Sequence, residues 1–180
     1  ENIDSRQLVH AYEESDFDSA TEASDAALTY SEVLAPFIRN STHIDAALEI
    51  GSGTGAFLSH LINLGIKKVI GIEPSSSAIE SADKDVKPHL IKGEFDKTKF
   101  NSEEFDLICC FMTLEHVYEP DKIISACKDL LATSGSIALV IHDRSSWINR
   151  ILGLKSPIID VEHMQLFSPT SIKFLLEKNS

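Results

Sequence analysis

The sequence contains few cysteines and no long apolar run. Three cysteines among 180 residues are too few for a disulfide framework, and they lack the spacing of a zinc motif. Cys109 and Cys110 are adjacent within an apolar stretch, so we expect reduced, buried thiols. Reduced thiols are typical of a reducing compartment, and this predicts a cytoplasmic protein.

Basic residues are also scarce. Lys and Arg number 16 against 28 Asp and Glu, for a formal net charge of −12. Nucleic-acid-binding surfaces need clustered Lys and Arg, so the charge argues against a nucleic-acid partner and equally against an anionic membrane surface. No apolar run approaches the roughly 20 residues of a membrane span, and no signal peptide is recognisable. Because the sequence begins with Glu rather than Met, a processed leader is left open.

The composition that remains is typical of a globular protein, with 43% apolar and 24% charged residues. The length suits one domain with its own core. Residues 1–24 are polar and acidic, and they are predicted to form an N-terminal arm or cap, either solvated or folded over a ligand. Residues 25–180 are predicted to form the main domain.

The central motif is a glycine-rich loop between a predicted strand and a predicted helix. An apolar run ends at Glu49, and Gly51, Gly53 and Gly55 follow at alternate positions. Glycine lets the main chain approach a ligand closely, so this pattern is typical of nucleotide sites. Gly51, Gly53 and Ala56 also satisfy the dinucleotide fingerprint, and the glycines alone do not identify the nucleotide.

Glu49 distinguishes the two cofactor classes. A carboxylate at the strand end repels a pyrophosphate, whereas S-adenosylmethionine has a sulfonium and an ammonium and no phosphate. The stretch Glu49–Gly55 (EIGSGTG) resembles motif I of the class I S-adenosylmethionine-dependent methyltransferases. The resemblance implies an α/β fold, a Rossmann-like three-layer α/β/α sandwich with a mainly parallel, doubly wound sheet. It also implies that the methionine part of the cofactor is held by Glu49, Gly51, Ser52, Gly53 and Gly55.

A second predicted strand, residues 69–73, ends at Glu73, about twenty residues beyond the loop. That spacing suits a hydrogen bond to ribose hydroxyls in either NAD or S-adenosylmethionine. Pro74 and Ser75 follow, where a helix is predicted to begin with a serine cap. We count both residues among the predicted cofactor contacts.

A third predicted strand, residues 89–96, runs into a loop that closes on adenine in the family. The resemblance places Glu94 against the exocyclic amine and the main-chain N–H of Phe95 against a ring nitrogen. Asp96 is a rival for the acidic position, because family members more often have Asp there. A solvated acid in a surface loop is the remaining interpretation.

Residues 105–117 resemble motif IV of the same family, with a Phe-Asp start, a buried strand and then Leu-Glu-His-Val. The resemblance implies that Phe111 lines the far wall of the cofactor pocket. A dehydrogenase has no reason to have Leu-Glu-His-Val at this point. This segment therefore favours S-adenosylmethionine over NAD.

Two histidines are candidates for a general base, which helps methyl transfer only when the acceptor is a hydroxyl or a protonated amine. His116 is one, with main-chain bonding at a helix start as its alternative role. His163 is the other, in a passage (162–169) that resembles the Glu-His-x-x-x-Phe-Ser-Pro segment of many small-molecule methyltransferases. Some quinone-biosynthetic O-methyltransferases have a Glu-x-x-Glu-His metal site, but Met112 replaces its first Glu, so we predict no metal.

Acceptor contacts are predicted in two segments. The insert 143–161 is predicted to contain a short amphipathic helix around Trp147. Three roles are open for this insert: a lid over an apolar acceptor, packing onto the sheet, or contact with a membrane. Tyr12 in the N-terminal arm is predicted to form an aromatic wall. The predicted substrate residues are thus Tyr12, Trp147 and His163.

The resemblance extends over about residues 25–178, and the family's final antiparallel hairpin has no counterpart before Ser180. Pro36 is expected to kink or end the first helix. The other predicted elements are helices over 25–38, 54–63, 120 to about 134, and from 169, and strands over 43–50 and 136–142.

Together these patterns predict an S-adenosylmethionine-dependent methyltransferase acting on a small-molecule acceptor, lipophilic in character, at oxygen, nitrogen or carbon. A non-catalytic S-adenosylmethionine-binding regulatory or scaffold protein is the alternative. An NAD-dependent oxidoreductase is the lesser one. The sequence leaves monomer and homodimer both open.

Overall fold

The computed structural model describes residues 20–41 and 44–179. Its α-helices are α1 Ala20–Asn40, α2 Ala56–Asn63, α3 Ser76–Ser81, α4 Pro120–Leu130, α5 Trp147–Leu152 and α6 Pro169–Lys178. Its strands are β1 Ala46–Ile50, β2 Lys68–Glu73, β3 Leu90–Lys92, β4 Phe105–Phe111 and β5 Leu131–Val140. Short 3-10 helices cover Lys87–His89, Lys97–Lys99, Leu114–His116 and Gly153–Lys155.

The five strands form one sheet in the order β3-β2-β1-β4-β5, and every neighbouring pair is parallel. The predicted Rossmann-like α/β fold is confirmed. Strand order reverses between β1 and β4, and open sheets of this kind bind ligands beyond the carboxyl ends of the strands at such a reversal. The Gly loop and the Leu-Glu-His-Val segment both follow strands that end there.

Two apolar clusters cover the two faces of the sheet. Side chains alternate along β1, so Ala47 packs with α1 and α2 while Leu48 packs with α4 and α6. Glu49 therefore lies on the same face as Ala47. Parallel strands covered on both faces must be apolar throughout, which makes a carboxylate inside β1 exceptional.

The first helix is longer than predicted. α1 begins at Ala20 and continues through Pro36 to Asn40, because Ile38 in its last turn is buried in the core. His43, predicted in the first strand, lies outside the described residues. β1 begins at Ala46, whose main-chain N–H donates to the Asp106 carboxylate at 3.0 Å.

The boundary between α4 and β5 differs from the prediction. We expected Gly135 to end the helix and residues 136–142 to form the strand. Instead β5 follows α4 directly at Leu131 and ends at Val140, with a register irregularity opposite Phe105 and Leu107. His142 therefore lies just beyond the strand, at the edge where the site forms.

The third strand is shorter than predicted, Leu90–Lys92, whereas the last helix begins as expected. The Ser168 hydroxyl accepts from the main-chain N–H of Ser171 at 3.2 Å, and the Ser171 hydroxyl reciprocates in a capping box. Within residues 20–41 and 44–179, no helix is both long enough and apolar enough to cross a bilayer.

Candidate active site

The glycine loop turns beneath the carboxyl ends of β1 and β2. Gly51, Gly53 and Gly55 all have positive φ, at 74°, 53° and 74°, a conformation that costs other residues free energy. The main-chain N–H groups of Gly51 and Ser52 both donate to the Ile72 carbonyl, at 2.9 and 3.1 Å. These two bonds to one carbonyl therefore hold the start of the predicted loop against β2.

Thr113 is the reason that position 51 must be glycine. A Cβ built on Gly51 lies 2.6 Å from Thr113 Cγ2 and closer still to its hydroxyl. The Thr113 hydroxyl in turn donates to the Phe111 carbonyl at 2.9 Å. The Thr113 side chain thus fills the space beside Gly51 that a Cβ would need, and it joins the segment after β4 to the loop after β1. Our sequence interpretation missed Thr113, because this contact joins residues far apart in the chain.

Glu49 is a buried carboxyl group whose hydrogen bonding is incomplete. Its side chain is 4% exposed, and its Oε2 atom has no hydrogen-bond partner among the described residues. Burial raises the pKa of Glu49 well above its usual value, and the charge of Glu73 raises that pKa further. A cationic group in the pocket would supply the missing partner.

Glu73 is also buried, but the main chain satisfies its carboxylate. The Gly53 N–H donates to Oε2 and the Ser75 N–H donates to Oε1, both at 2.7 Å. Burial raises the pKa of Glu73, although these two hydrogen bonds partly lower it. Glu73 thus fastens the glycine loop to the start of α3, where the Ser75 hydroxyl caps the helix. Pro74 lies between them, half-buried.

The predicted adenine loop follows β3. Glu94 is exposed, and Phe95 is half-buried against the cluster that packs on α4 and α6. The Asp96 carboxylate accepts from both the main-chain N–H and the hydroxyl of Thr98, at 2.9 and 2.7 Å. Both bonds go to the Oδ1 atom, so Asp96 retains acceptor capacity and stays a candidate beside Glu94.

Phe111, the last residue of β4, belongs to an aromatic group. Its ring lies 4.7 Å from that of Tyr30 and 4.9 Å from that of Phe57, measured between centroids. Burial raises the pKa of Tyr30, and the charges of Glu115 and then Glu49 raise it further. The charges of both carboxylates thus act on the Tyr30 hydroxyl. In the sequence, Tyr30 has the spacing of a core residue, and nothing there marks it as part of the site.

The backbone immediately after β4 adopts a rare conformation. Met112 has φ 51°, which is uncommon for a residue with a side chain and often occurs at functional sites. Its N–H donates to the Val140 carbonyl at 2.8 Å. This bond directs the chain after β4 towards the end of β5, so the segments beyond both strands meet.

Three histidines meet beyond these strands. The ring of His163 lies 4.7 Å from that of His116 and 5.2 Å from that of His142, measured between centroids. Nδ1 of His163 lies 2.8 Å from the Ile158 carbonyl, and Nδ1 of His116 lies 3.1 Å from the Glu162 carbonyl. Because a carbonyl oxygen only accepts hydrogen bonds, each of these rings has a proton on its Nδ1 atom. Burial lowers the pKa of His116, and the neighbouring His163 lowers it further.

Glu115 lies behind this histidine group, with no exposed surface. Its Oε1 accepts the main-chain N–H of His142 at 2.7 Å, and His142 Nδ1 lies 3.3 Å from the same oxygen. The Glu115 carbonyl accepts from the Gln165 N–H at 3.1 Å, which joins the segments that contain His116 and His163. The structure thus brings both predicted base candidates together and adds His142, which the sequence interpretation did not single out.

The other predicted acceptor residues are less constrained. Tyr12 lies outside the described residues. Trp147, at the start of α5, is 73% exposed. Within the insert, Ile158 is buried, whereas the exposed apolar side chains are those of Trp147, Ile148, Ile151, Leu152 and Leu154. Across the part of the chain that the structure describes, no group of three or more His, Cys, Asp or Glu residues is arranged to hold a metal ion.

Comparison with known proteins gives a consistent family. The family model described as "Methyltransferase domain" matches residues 23–179. An uncharacterised protein of Methanocaldococcus jannaschii is 35% identical over 105 residues, which is 58% of this chain and 48% of that protein. A ubiquinone biosynthesis O-methyltransferase of Haemophilus ducreyi is 31% identical over 119 residues, or 58% of this chain and 46% of that protein. The chain thus matches only about half the length of these relatives.

Solved structures share the fold. A crystal structure of an S-adenosylmethionine-dependent methyltransferase from Thermotoga maritima superposes with a TM-score of 0.72 and 23% identity. The match covers 96% of this chain and 80% of the other. At this identity the likeness concerns the architecture alone.

Proposed function

Because the chain belongs to the methyltransferase domain family, we propose that it transfers the methyl group of S-adenosylmethionine to a small-molecule acceptor at an oxygen, nitrogen or carbon atom. The observation that supports this most directly is Glu49. It is a buried carboxyl group with an unpartnered oxygen, beside a glycine loop at the carboxyl edge of a parallel sheet. A phosphorylated nucleotide would meet repulsion there, whereas an ammonium group would complete the hydrogen bonding.

The cofactor is S-adenosylmethionine, and the loop residues fit its amino-acid part. Glu49 accepts from the ammonium group, and Gly51, Ser52, Gly53 and Gly55 form the wall around the methionine chain. The buried Ser52 hydroxyl also has no partner among the described residues, which leaves it available to the carboxylate. The cofactor supplies an already activated methyl group on a sulfonium, so the protein mainly aligns the reactants and excludes water.

The nucleoside part extends along the carboxyl edge towards β3. Glu73, with Pro74 and Ser75 after it, binds the ribose side, and the Glu73 oxygens each retain one lone pair beyond their main-chain bonds. Glu94 and Phe95 bind the adenine edge. Phe111 lines the opposite wall. The proposed contacts of the nucleoside part are therefore Glu73, Pro74, Ser75, Glu94, Phe95 and Phe111.

The acceptor lies on the side of the histidine group. His163 and His116 are proposed as contacts there, with Trp147 and Tyr12 contributing aromatic surface from the insert 143–161 and from the N-terminal arm. The exposed apolar side chains of α5 support a lid over a lipophilic molecule. The net charge of −12 supports a small-molecule acceptor over a nucleic acid.

Calorimetry with S-adenosylhomocysteine and NADH tests the cofactor. We expect S-adenosylhomocysteine to bind with saturable heat and NADH to give none. Heat with NADH alone would overturn the proposal in favour of an oxidoreductase. Methyl transfer from radiolabelled S-adenosylmethionine to a panel of phenols, amines and carbon acids then tests catalysis. Binding without transfer to any acceptor would favour the non-catalytic regulatory or scaffold role.

The domain organisation and the cellular compartment of the protein are proposed as well. Residues 25–180 form the S-adenosylmethionine-binding domain with 1–24 as an arm or cap, and the chain works in the reducing cytoplasm. The three cysteines support this compartment because all three are free and buried. Light scattering distinguishes a monomer from a homodimer.

A further inference from the structure

Glu115 and His142 form a buried pair whose hydrogen bonding is incomplete. His142 Nδ1 lies 3.3 Å from Glu115 Oε1, which already accepts the His142 main-chain N–H. Neither His142 Nδ1 nor Glu115 Oε2 has an aligned hydrogen-bond partner among the described residues. A buried carboxylate without a donor or a cation is costly. A proton on His142 Nδ1, directed at Glu115 Oε1, gives that nitrogen a partner and the carboxylate a side-chain donor.

We propose that His142 is the general base of the methyl transfer and that Glu115 is its positioning residue. This inference rests on the proposed function and narrows its acceptor to a phenolic hydroxyl. With Nδ1–H donated to Glu115, the lone pair resides on Nε2. The His142 side chain is 35% exposed, so Nε2 is accessible to a ligand while Nδ1 remains buried.

The pair borders the proposed cofactor pocket. Burial raises the pKa of the Tyr30 hydroxyl, and the charges of Glu115 and Glu49 both raise it further. Val140 pairs with Phe111 across β4 and β5, and its carbonyl accepts from the Met112 N–H at 2.8 Å. His142 follows Val140 by two residues, so it lies at the same carboxyl edge as Phe111, which is proposed to line the cofactor pocket.

His142 is better suited to this role than the two histidines predicted from the sequence. Nδ1 of His163 and Nδ1 of His116 donate to neutral main-chain carbonyls. A histidine that takes up a proton becomes a cation, and a carboxylate stabilises that cation far more than a carbonyl does. The Glu115 charge also raises the pKa of His116, but His116 Nδ1 donates to the Glu162 carbonyl, whereas His142 Nδ1 lies 3.3 Å from Glu115 Oε1.

The step balances with the groups named. The acceptor oxygen forms a bond to the methyl carbon as the carbon–sulfur bond breaks, and the bonding pair remains on the sulfur. The hydroxyl proton passes to His142 Nε2, and the resulting imidazolium is stabilised by Glu115. A phenol is the suitable acceptor because its proton is acidic enough for imidazole to share, whereas a neutral amine attacks through its own lone pair without a base.

Long-range ¹H–¹⁵N NMR of the histidine rings in the free protein tests the pair without any turnover. We expect His142 in the Nδ1–H tautomer in the wild type. Glu115→Gln should shift it towards the Nε2–H tautomer, because a neutral amide holds the Nδ1 proton less strongly. His142→Gln identifies the signals. A wild-type His142 in the Nε2–H tautomer would overturn the proposal.

Kinetics with two acceptors of different acidity test the base. We expect His142→Gln to lower kcat/KM for catechol by about 100-fold or more. For 4-nitrocatechol, which ionises without help, the variant should remain close to the wild type. The His163→Gln variant tests the other candidate base. The His60→Gln variant, on α2, is the control for a histidine outside the histidine group. Equal losses of His142→Gln with both catechols would reveal a merely structural role and overturn the proposal.

The outcomes separate this inference from the proposed function. S-adenosylhomocysteine binding with wild-type turnover of catechol and an unaffected His142→Gln variant would refute the base and leave the methyltransferase in place. Failure of the wild type to methylate either catechol would refute the phenolic acceptor and the base with it, while binding of S-adenosylhomocysteine would still stand. Absence of that binding would refute the cofactor instead, and the NMR result would still decide whether the pair exists.

Discussion

Glu49 and Glu73 lie at the carboxyl ends of neighbouring parallel strands, and within residues 20–41 and 44–179 only Glu73 of the two receives main-chain donors. The Gly53 and Ser75 N–H groups both bond to Glu73, whereas Glu49 Oε2 has no partner among the described residues. Burial raises the pKa of Glu49, and the charge of Glu73 raises it further. Two carboxyl groups in one place thus have different tasks: Glu73 organises the loop, and Glu49 remains available for a cation.

Replacing Glu49 by Gln should weaken binding of S-adenosylhomocysteine by about 2 to 4 kcal/mol, because the ligand's ammonium loses a buried charged partner. Calorimetry measures the change in dissociation constant. Glu80→Gln on the exposed side of α3 is the matched control and should bind as the wild type does. Unchanged affinity of Glu49→Gln would contradict the proposed ammonium contact.

The same variant should not be less stable at neutral pH. A carboxyl group whose pKa is raised in the folded state favours folding while protonated. Its contribution is therefore lost as the pH rises from the usual value of 4.5 through the folded-state pKa. Urea unfolding of the wild type should show this decline, and that of Glu49→Gln should show less of it. A steeper decline in the variant would be inconsistent with the raised pKa.

Binding of S-adenosylhomocysteine should release protons at pH values above 4.5, the usual pKa of a glutamate, where the raised pKa still keeps Glu49 protonated in the free protein. The ammonium stabilises ionised Glu49 and lowers its raised pKa, so a proton leaves on binding and the affinity increases with pH until Glu49 is ionised in the free protein. Calorimetry in buffers of different ionisation enthalpy measures the number of protons. Glu80→Gln should release as many as the wild type, and Glu49→Gln should release fewer.

Glu73→Gln should loosen the glycine loop. A Gln amide has one acceptor oxygen, so one of the N–H groups of Gly53 and Ser75 faces an NH₂ group. We expect the free energy of unfolding to fall by about 1 to 3 kcal/mol. Hydrogen exchange at these two amides should become faster. Wild-type protection of Gly53 in the variant would show that the loop does not depend on Glu73.

Gly51→Ala should destabilise the protein through two separable costs. The new Cβ collides with Thr113, an overpacking worth about 1 to 3 kcal/mol, and the positive φ adds about 1 to 2 kcal/mol. Adding Thr113→Gly should restore only the first part. Gly65→Ala is the matched control, since Gly65 has φ +87° with no atom near its Cβ position and should lose only the second part.

The thiols should be unreactive in the native protein. All three cysteines are buried, and burial raises the pKa of Cys127 to about 12 and that of Cys109 well above its usual value. Thiolates are the reactive form, so a disulfide reagent should label none of them until urea is added, and then all three. Rapid labelling without urea would contradict the packing of β4.

The fold and much of the cofactor side could be predicted from the sequence because their signals are local. Glu49 and the three glycines lie within seven consecutive positions, and a strand, loop and helix in that order fix where they lie. The apolar strands and the Ser168 cap are also local patterns. By contrast, the last helix-to-strand boundary was misplaced, because Leu131 pairs with Phe105 through contacts that no short window contains.

What only the tertiary structure decided is which distant side chains meet. Thr113 excludes a Cβ from Gly51, Tyr30 packs against Phe111, and His142 lies beside Glu115. The sequence sets the order of strands along the chain, but the parallel sheet brings their carboxyl ends to one edge. Side chains tens of residues apart then share a buried space, where low polarity makes each missing partner costly. That cost, which depends on burial and distance, is invisible in the sequence.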